Sequence, residues 1–175
     1  MSPRPVSGEH RLYCEELGTP IGQLRMVSHS LGVVGLGFEE GWDRIHRGVV
    51  RRFPNASWET PKRPSRALLG VELYFRGDMV CLDSIPVWLE GTTFQERVWK
   101  ALGGIGLGET KSYGEIAREV GSPRAFRAVG SANRANPVSL IVPCHRVIAA
   151  DGSLSGYGWG PERKRWLLDF EKRFR

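Results

Sequence analysis

Cysteine is scarce in this sequence. Its three cysteines, Cys14, Cys81 and Cys144, lie far apart, and none forms a Cys-x-x-Cys pair. An odd number of widely spaced cysteines argues against a disulfide framework and against a zinc finger. We therefore expect reduced thiols. The remaining candidate metal ligands in the first half match no recognisable spacing either, so we predict no metal and no cofactor: His10, His29 and His46.

Long apolar runs are also missing. No stretch approaches the length of a membrane span, and no apolar segment of the signal-peptide type follows Met1. We expect a cytoplasmic protein that does not contact a membrane. The sequence shows neither internal repeats nor low-complexity tracts.

The composition is that of a globular protein with an excess of positive charge. Hydrophobic residues make up 41% of the 175 residues, and 25 Lys+Arg against 19 Asp+Glu give a formal net charge of +6. This balance suits a polyanionic partner without requiring one.

The two halves of the chain differ in pattern. The first half predicts a compact α+β unit, with short strands at 11–17, 23–28 and 33–38 and helices at 42–53 and 65–76. The segment 83–91 is the predicted linker. We place the boundary between an N-terminal α+β domain at 1–90 and a mainly helical domain at 91–175.

Helix signals begin the second half. Thr92 or Thr93 is predicted to cap a helix that ends near Leu102, and Glu96 stands at capping-box distance from Thr93. A last helix is predicted from about Pro161.

A helix-turn-helix is predicted next. Ser112 caps a helix that ends at Gly121, and Pro123 is predicted to open a second helix reaching about Arg134. In the second helix arginines alternate with small residues: Arg124, Arg127 and Arg134 with Ala125, Ala128, Gly130, Ser131 and Ala132. This composition favours DNA binding with little sequence preference, and a helical hairpin with a solvated basic face is the alternative.

Cys144 and His145 follow an apolar run that Pro143 interrupts. A nucleophilic cysteine reacts as the thiolate, so it needs a base or a positive charge nearby, and His145 and Arg146 are the adjacent candidates. In an extended segment neighbouring side chains point to opposite faces, so a turn or a bridging water would be needed. The alternatives are a buried apolar cysteine and a structural histidine.

Several motifs together resemble one protein family, the O6-alkylguanine-DNA alkyltransferases. The resemblance covers roughly residues 92–171. It rests on Ser112-Tyr113-Gly114, Arg127-Ala128-Val129-Gly130, Asn136-Pro137, Val142-Pro143-Cys144-His145-Arg146-Val147 and Gly156-Tyr157, followed by Lys164 and Leu167-Leu168. It implies an α+β protein with a small sheet-plus-helix domain before a mainly helical, winged-helix-like domain that carries the helix-turn-helix.

The resemblance implies an alkyl transfer that uses each molecule once. Cys144 would accept an alkyl group, mainly methyl, from O6 of guanine. His145 would draw off the thiol proton through a water, and Glu171 would orient His145. Asn136 would hold the turn that precedes the cysteine segment.

The implied partner is alkylated double-stranded DNA, bound in its minor groove by a monomer. The target nucleotide must be flipped out of the duplex, since a stacked base cannot reach a protein thiol. Arg127 would fill the vacated place, and Tyr113 would crowd the target phosphate. The remaining contacts would come from the helix that carries Arg127: Ala128, Gly130 and Arg134.

The implied alkylguanine pocket uses the Val147 carbonyl and a loop of Tyr157, Gly158 and Trp159, with the Gly158 N–H directed at O6. This sequence departs from the family pattern at Trp159 and at Gly106. Bulky Trp159 predicts a narrow pocket that favours methyl over benzyl groups.

Two rival functions belong to other classes. A DNA-binding module that senses damage or regulates transcription would leave its thiol count unchanged on alkylated DNA. A Cys-His hydrolase would turn over repeatedly, but no separate specificity pocket is recognisable.

Overall fold

Glycines punctuate the first part of the chain, and the strands between them form a four-stranded sheet. The computed structural model describes residues 8–174. The strands are β1 (Arg11–Thr19), β2 (Gly22–His29), β3 (Gly32–Phe38) and β4 (Ser57–Glu59). Their order is β3-β2-β1-β4, with β1, β2 and β3 antiparallel and β4 parallel to β1. The three predicted strands are confirmed, whereas β4 carries no sequence signal because all its residues are exposed.

The first helix, α1 (Trp42–Arg52), packs on β3. Its apolar face has the helical spacing predicted, and Ile45 and Val49 are buried. Gly35 on β3 permits the close approach, since a Cβ there would lie 2.8 Å from Cγ2 of Ile45.

The second helix, α2 (Arg66–Phe75), begins at a capping serine. The Ser65 hydroxyl accepts a hydrogen bond from the Leu68 N–H, and the Ser65 N–H donates to the Glu15 carboxylate at 2.6 Å. A cap of this kind stabilises a helix by about 1 kcal/mol. Val71 and Tyr74 complete the buried face of α2.

The chain divides into two units. The first is Met1–Glu90 with Pro137–Ile141, and the second is Gly91–Asn136 with Val142–Arg175. The second unit contains α3 (Thr93–Gly103), β5 (Lys111–Ser112), α4 (Tyr113–Glu119), α5 (Phe126–Arg134), β6 (Val147–Ile148) and α6 (Pro161–Lys172), with β5 parallel to β6. The predicted α+β class is confirmed, with a sheet-plus-helix unit and a mainly helical, winged-helix-like unit carrying a helix-turn-helix.

The start of α3 resolves the choice between two adjacent threonines. Thr92 is the cap: its hydroxyl accepts from the Gln95 N–H, and the Gln95 side chain accepts from the Thr92 N–H. Glu96 instead accepts from the Gly91 N–H at 3.1 Å. The capping box predicted for Thr93 and Glu96 is therefore wrong by one position.

The helix-turn-helix consists of α4 and α5. Ser112 forms a capping box with Glu115, and Gly121 ends α4 with a φ of +69°, a left-handed conformation that favours glycine. The prediction that Pro123 opens the second helix is wrong, since α5 begins at Phe126. The Ala125 N–H donates to the Ser122 carbonyl at 2.8 Å, so Pro123 occupies a turn in which its fixed φ fits equally well.

Candidate active site

Cys144 begins a short 3-10 turn, Cys144–Arg146, rather than the extended segment that the sequence indicated. A turn removes the opposite-face constraint that an extended backbone would place on the side chains of Cys144 and His145. Cys144 is buried at 3% exposure. Two asparagine side chains hold this backbone: Asn133 Nδ2 donates to the Cys144 carbonyl at 3.2 Å, and Asn136 Nδ2 donates to the Val142 carbonyl at 2.9 Å.

His145 and Glu171 form a fully buried pair, with Nε2 of His145 2.8 Å from Oε1 of Glu171. Arg146 donates to the same carboxylate from Nε and Nη2, each at 2.9 Å, and its Nη1 donates to the Ile105 carbonyl. Burial alone would raise the pKa of Glu171, but the bonds and charges of His145 and Arg146 hold that pKa well below its usual range. Glu171 is therefore a permanent anion.

The ionised carboxylate determines which ring nitrogen of His145 carries the hydrogen. Because Glu171 can only accept, Nε2 of His145 carries the hydrogen and Nδ1 presents a lone pair. Nδ1 is buried and has no hydrogen-bond partner among residues 8–174. Burial lowers the pKa of His145 despite the opposing effect of Glu171, so the ring is neutral near pH 7 and can take up a proton.

Lys164 on α6 is a further charged residue in this site. Its side chain is fully buried, and Nζ lies 3.4 Å from the Ser155 carbonyl and 6.0 Å from the Tyr113 ring centroid. Burial lowers the pKa of Lys164 to about 8, although the charge of Cys144 raises it. Lys164 is therefore mostly protonated near pH 7.

The family resemblance assigned no role to Lys164, although the sequence around it carries a signal. Positions 164, 167, 168 and 171 follow helical spacing, and all four residues are buried in the structure. Charged residues occupy both ends of an otherwise apolar stripe. Since buried charges need partners, this pattern indicates that Lys164 and Glu171 are both candidate site residues.

Tyr113, the first residue of α4, lies against the loop that contains Ser155 and Gly156. Its hydroxyl donates to the Ser155 carbonyl at 3.2 Å. Gly156 has a φ of +81°, and a Cβ there would lie 2.7 Å from the Tyr113 oxygen. Gly130 of α5 also approaches the ring. Burial raises the pKa of Tyr113, and the charge of Cys144 adds to the effect, so the phenol keeps its proton.

A groove of about 480 Å³ runs along α5. It is lined by Tyr113, Phe126, Arg127, Gly130, Ser131, Arg134 and Gly156. The structure thus brings together four of the residues predicted to contact DNA, while Ala128 is exposed on α5 outside the groove lining. Ala132 is buried, so the small-residue face predicted for this helix does not extend to it.

The residues predicted to form the alkylguanine pocket lie in β6 and in the loop before α6. Val147 is buried and pairs with Lys111 of β5. In the loop Tyr157 and Trp159 are buried, and Gly158 between them is exposed. The loop is attached to the rest of the site through the neighbouring Ser155 carbonyl, which both Tyr113 and Lys164 approach.

Between residues 8 and 174, no group of three or more His, Cys, Asp and Glu side chains is placed to hold a metal ion. In the same range no helix is both long and apolar enough to cross a membrane.

The chain is similar to known proteins in sequence and in fold. The family described as "6-O-methylguanine DNA methyltransferase, DNA binding domain" matches residues 93–173. The methylated-DNA–protein-cysteine methyltransferase of Haemophilus influenzae is 38% identical over 164 residues, which cover 92% of this chain and 87% of that protein. The Mycobacterium tuberculosis protein of that name is 44% identical over 161 residues, covering 92% and 93%. A crystal structure of Mycobacterium tuberculosis OGT in complex with DNA matches with a TM-score of 0.72 and 39% identity, covering 95% of this chain and 94% of that one. The chain belongs to the methylated-DNA–protein-cysteine methyltransferase family.

Proposed function

We propose that this protein repairs DNA by direct reversal, moving an alkyl group irreversibly from O6 of guanine to its own Cys144. The observation that carries the proposal is the buried chain of Cys144, neutral His145 and ionised Glu171 in a member of this family. An ordinary structural histidine would not require a neighbouring carboxylate held ionised by two further bonds from Arg146.

The proton moves first. Nδ1 of His145 accepts the thiol proton of Cys144 through a water, and the imidazolium that forms is stabilised by Glu171 through Nε2. Lys164 stabilises the resulting thiolate by its charge, which opposes the cost of forming an anion in a buried site. General-base help of this kind is worth about 10²- to 10⁴-fold in rate.

The thiolate then displaces guanine from the alkyl carbon. The sulfur–carbon bond forms as the carbon–O6 bond breaks, and the electron pair of the broken bond stays on the base. We propose that the Gly158 N–H donates to O6 and stabilises this charge, while the Val147 carbonyl and Tyr157 hold the base. Trp159 narrows the pocket and favours methyl over benzyl. The thioether product does not hydrolyse, so each molecule reacts once.

The target must leave the duplex to reach a buried sulfur. We propose that α5 lies in the minor groove, that Arg127 fills the place of the flipped nucleotide and that Tyr113 crowds its phosphate. Tyr113, Arg127 and Gly130 line the same groove, which supports this arrangement. Ala128 and Arg134 supply further contacts to the sugar-phosphate backbone.

Asn136 is proposed as the positioning residue of this arrangement. Its side chain fixes the Val142 carbonyl, two residues before Cys144. One chain supplies the whole relay, so we propose that the protein acts as a monomer. All three cysteines are free, as a thiol reagent requires, and we place the protein in the reducing cytoplasm.

Thiol counting tests the proposal. The protein has three free cysteines, and mixing it with excess duplex that contains one O6-methylguanine should reduce the count to two and no further. The matched variant Cys81→Ser should lose one thiol on the same time course, whereas Cys144→Ser should lose none. An unchanged count with demonstrable DNA binding would support a binding module instead. Repeated turnover without thiol loss would support a hydrolase.

A further inference from the structure

Phe126 is an aromatic residue at an unusual place, the first position of α5, with half of its surface exposed. Of the other apolar residues of this helix, Val129 and Ala132 are buried, and the exposed Ala128 is small. A ring left in water contributes little to the stability of the free protein, because burial of apolar surface is what stabilises.

The ring forms part of the α5 groove. Phe126 and Arg127 both line it, and the guanidinium carbon of Arg127 lies 5.8 Å from the Phe126 ring centroid. That separation is within the range of a cation–π contact. The two side chains therefore form one rim of the groove, with a charged tip beside a flat apolar surface.

The charge around this rim indicates the class of partner that would bind there. No Asp or Glu occurs from residue 120 to residue 150, a stretch that contains Arg124, Arg127 and Arg134. Such a surface suits a polyanion. Duplex DNA with one nucleotide removed from its stack also exposes the flat faces of the flanking bases, and an aromatic ring stacks on any base regardless of sequence.

We propose that Phe126 is a second wedge residue, which stacks on a base flanking the flipped nucleotide while Arg127 occupies the vacated place. The inference rests on the proposed function. Minor-groove proteins insert apolar side chains between base steps in the same way. Phe126 is a positioning residue, since it holds the duplex open and does not touch the reacting atoms.

Salt-dependent binding tests the proposal in a Cys144→Ser background, which blocks transfer. The duplex contains one O6-methylguanine, and the variants are Phe126→Ala, Phe126→Trp and Arg127→Ala. Phe126→Ala should weaken binding about tenfold, within the range of one base–aromatic contact, and leave the slope of log K against log salt unchanged. Arg127→Ala should reduce the magnitude of that slope by about 0.9, because the complex then lacks one cationic side chain that displaces counterions from the DNA. Phe126→Trp should retain affinity. Phe174→Ala removes another exposed phenylalanine and should change nothing.

Two results would overturn the proposal. One is wild-type affinity in Phe126→Ala. The other is slower reaction of Cys144 with iodoacetamide, measured without DNA in a Phe126→Ala protein that retains Cys144, because the loss of affinity would then come from a damaged fold rather than from a lost wedge. If the wild-type protein binds the duplex but transfers no methyl group, the proposed function fails, and the salt series still decides the role of Phe126.

Discussion

Replacing Glu171 with glutamine should separate the electrostatic role of this residue from its size. The carboxylate accepts from Nε2 of His145 at 2.8 Å and from Nε and Nη2 of Arg146 at 2.9 Å each. Glutamine keeps one acceptor oxygen and removes the charge. Its amide can also donate to Nε2 of His145, which places the ring hydrogen on Nδ1 and removes the lone pair that the relay needs.

The cost follows from these contacts. Removing one partner of a buried ion pair costs about 3–5 kcal/mol, compared with a total stability of about 5–15 kcal/mol for a native protein. For a chain of this size the melting temperature should fall by roughly 6–20 °C, so the variant remains folded at 25 °C. Losing the histidine base should slow methyl transfer by about 10²- to 10⁴-fold.

Single-turnover transfer from a saturating duplex with one O6-methylguanine gives the rate, and thermal unfolding gives the stability. Glu162→Gln is the matched control, because Glu162 is exposed in the first turn of the same helix and should change neither quantity. If Glu171→Gln melts at the lower temperature but transfers methyl at the wild-type rate, the carboxylate is purely structural and the relay is wrong.

Three further predictions concern neighbouring groups. Gly156→Ala should slow transfer at least tenfold in the same assay, since its methyl group would lie 2.7 Å from the Tyr113 oxygen. Gly152→Ala has the same φ of +81° with nothing within 4 Å, so equal rates in the two variants would contradict the argument. Lys164→Met should slow iodoacetamide alkylation of Cys144 about tenfold below pH 8 and less above it, because the pKa of Lys164 is about 8. Equal alkylation rates in this variant and the wild-type protein at pH 7 would exclude a charge effect. The contribution of His145 to the free energy of unfolding in urea should be complete above pH 6.5 and should decline below it, because burial lowers the pKa of His145 and the unfolded chain protonates first; equal unfolding free energies at pH 5 and pH 7 would refute this.

Local patterns predicted much of the fold. The β-rich composition of β1, β2 and β3, the spacing of Ile45 and Val49 and the capping serine Ser112 all express short-range preferences that the chain retains. The start of α5 was missed because Pro123 fits a turn and the first turn of a helix equally well.

Long-range pairing explains what else was missed. β4 is recognisable only through its pairing with β1, and Pro137–Ile141 belongs to the first unit through contacts such as that of the Leu36 N–H with the Pro137 carbonyl. The motif identified Cys144 and His145. The hydrogen bonds from Arg146 to Glu171 depend on side-chain positions that residue spacing does not specify.

The most direct test of the central claim is the mass of the intact protein after mixing with a duplex that contains one O6-methylguanine, followed by peptide mapping. We expect a gain of one methyl group per protein, located on Cys144 and absent in Cys144→Ala. An unchanged mass, or a methyl group on Cys14 or Cys81, would contradict it.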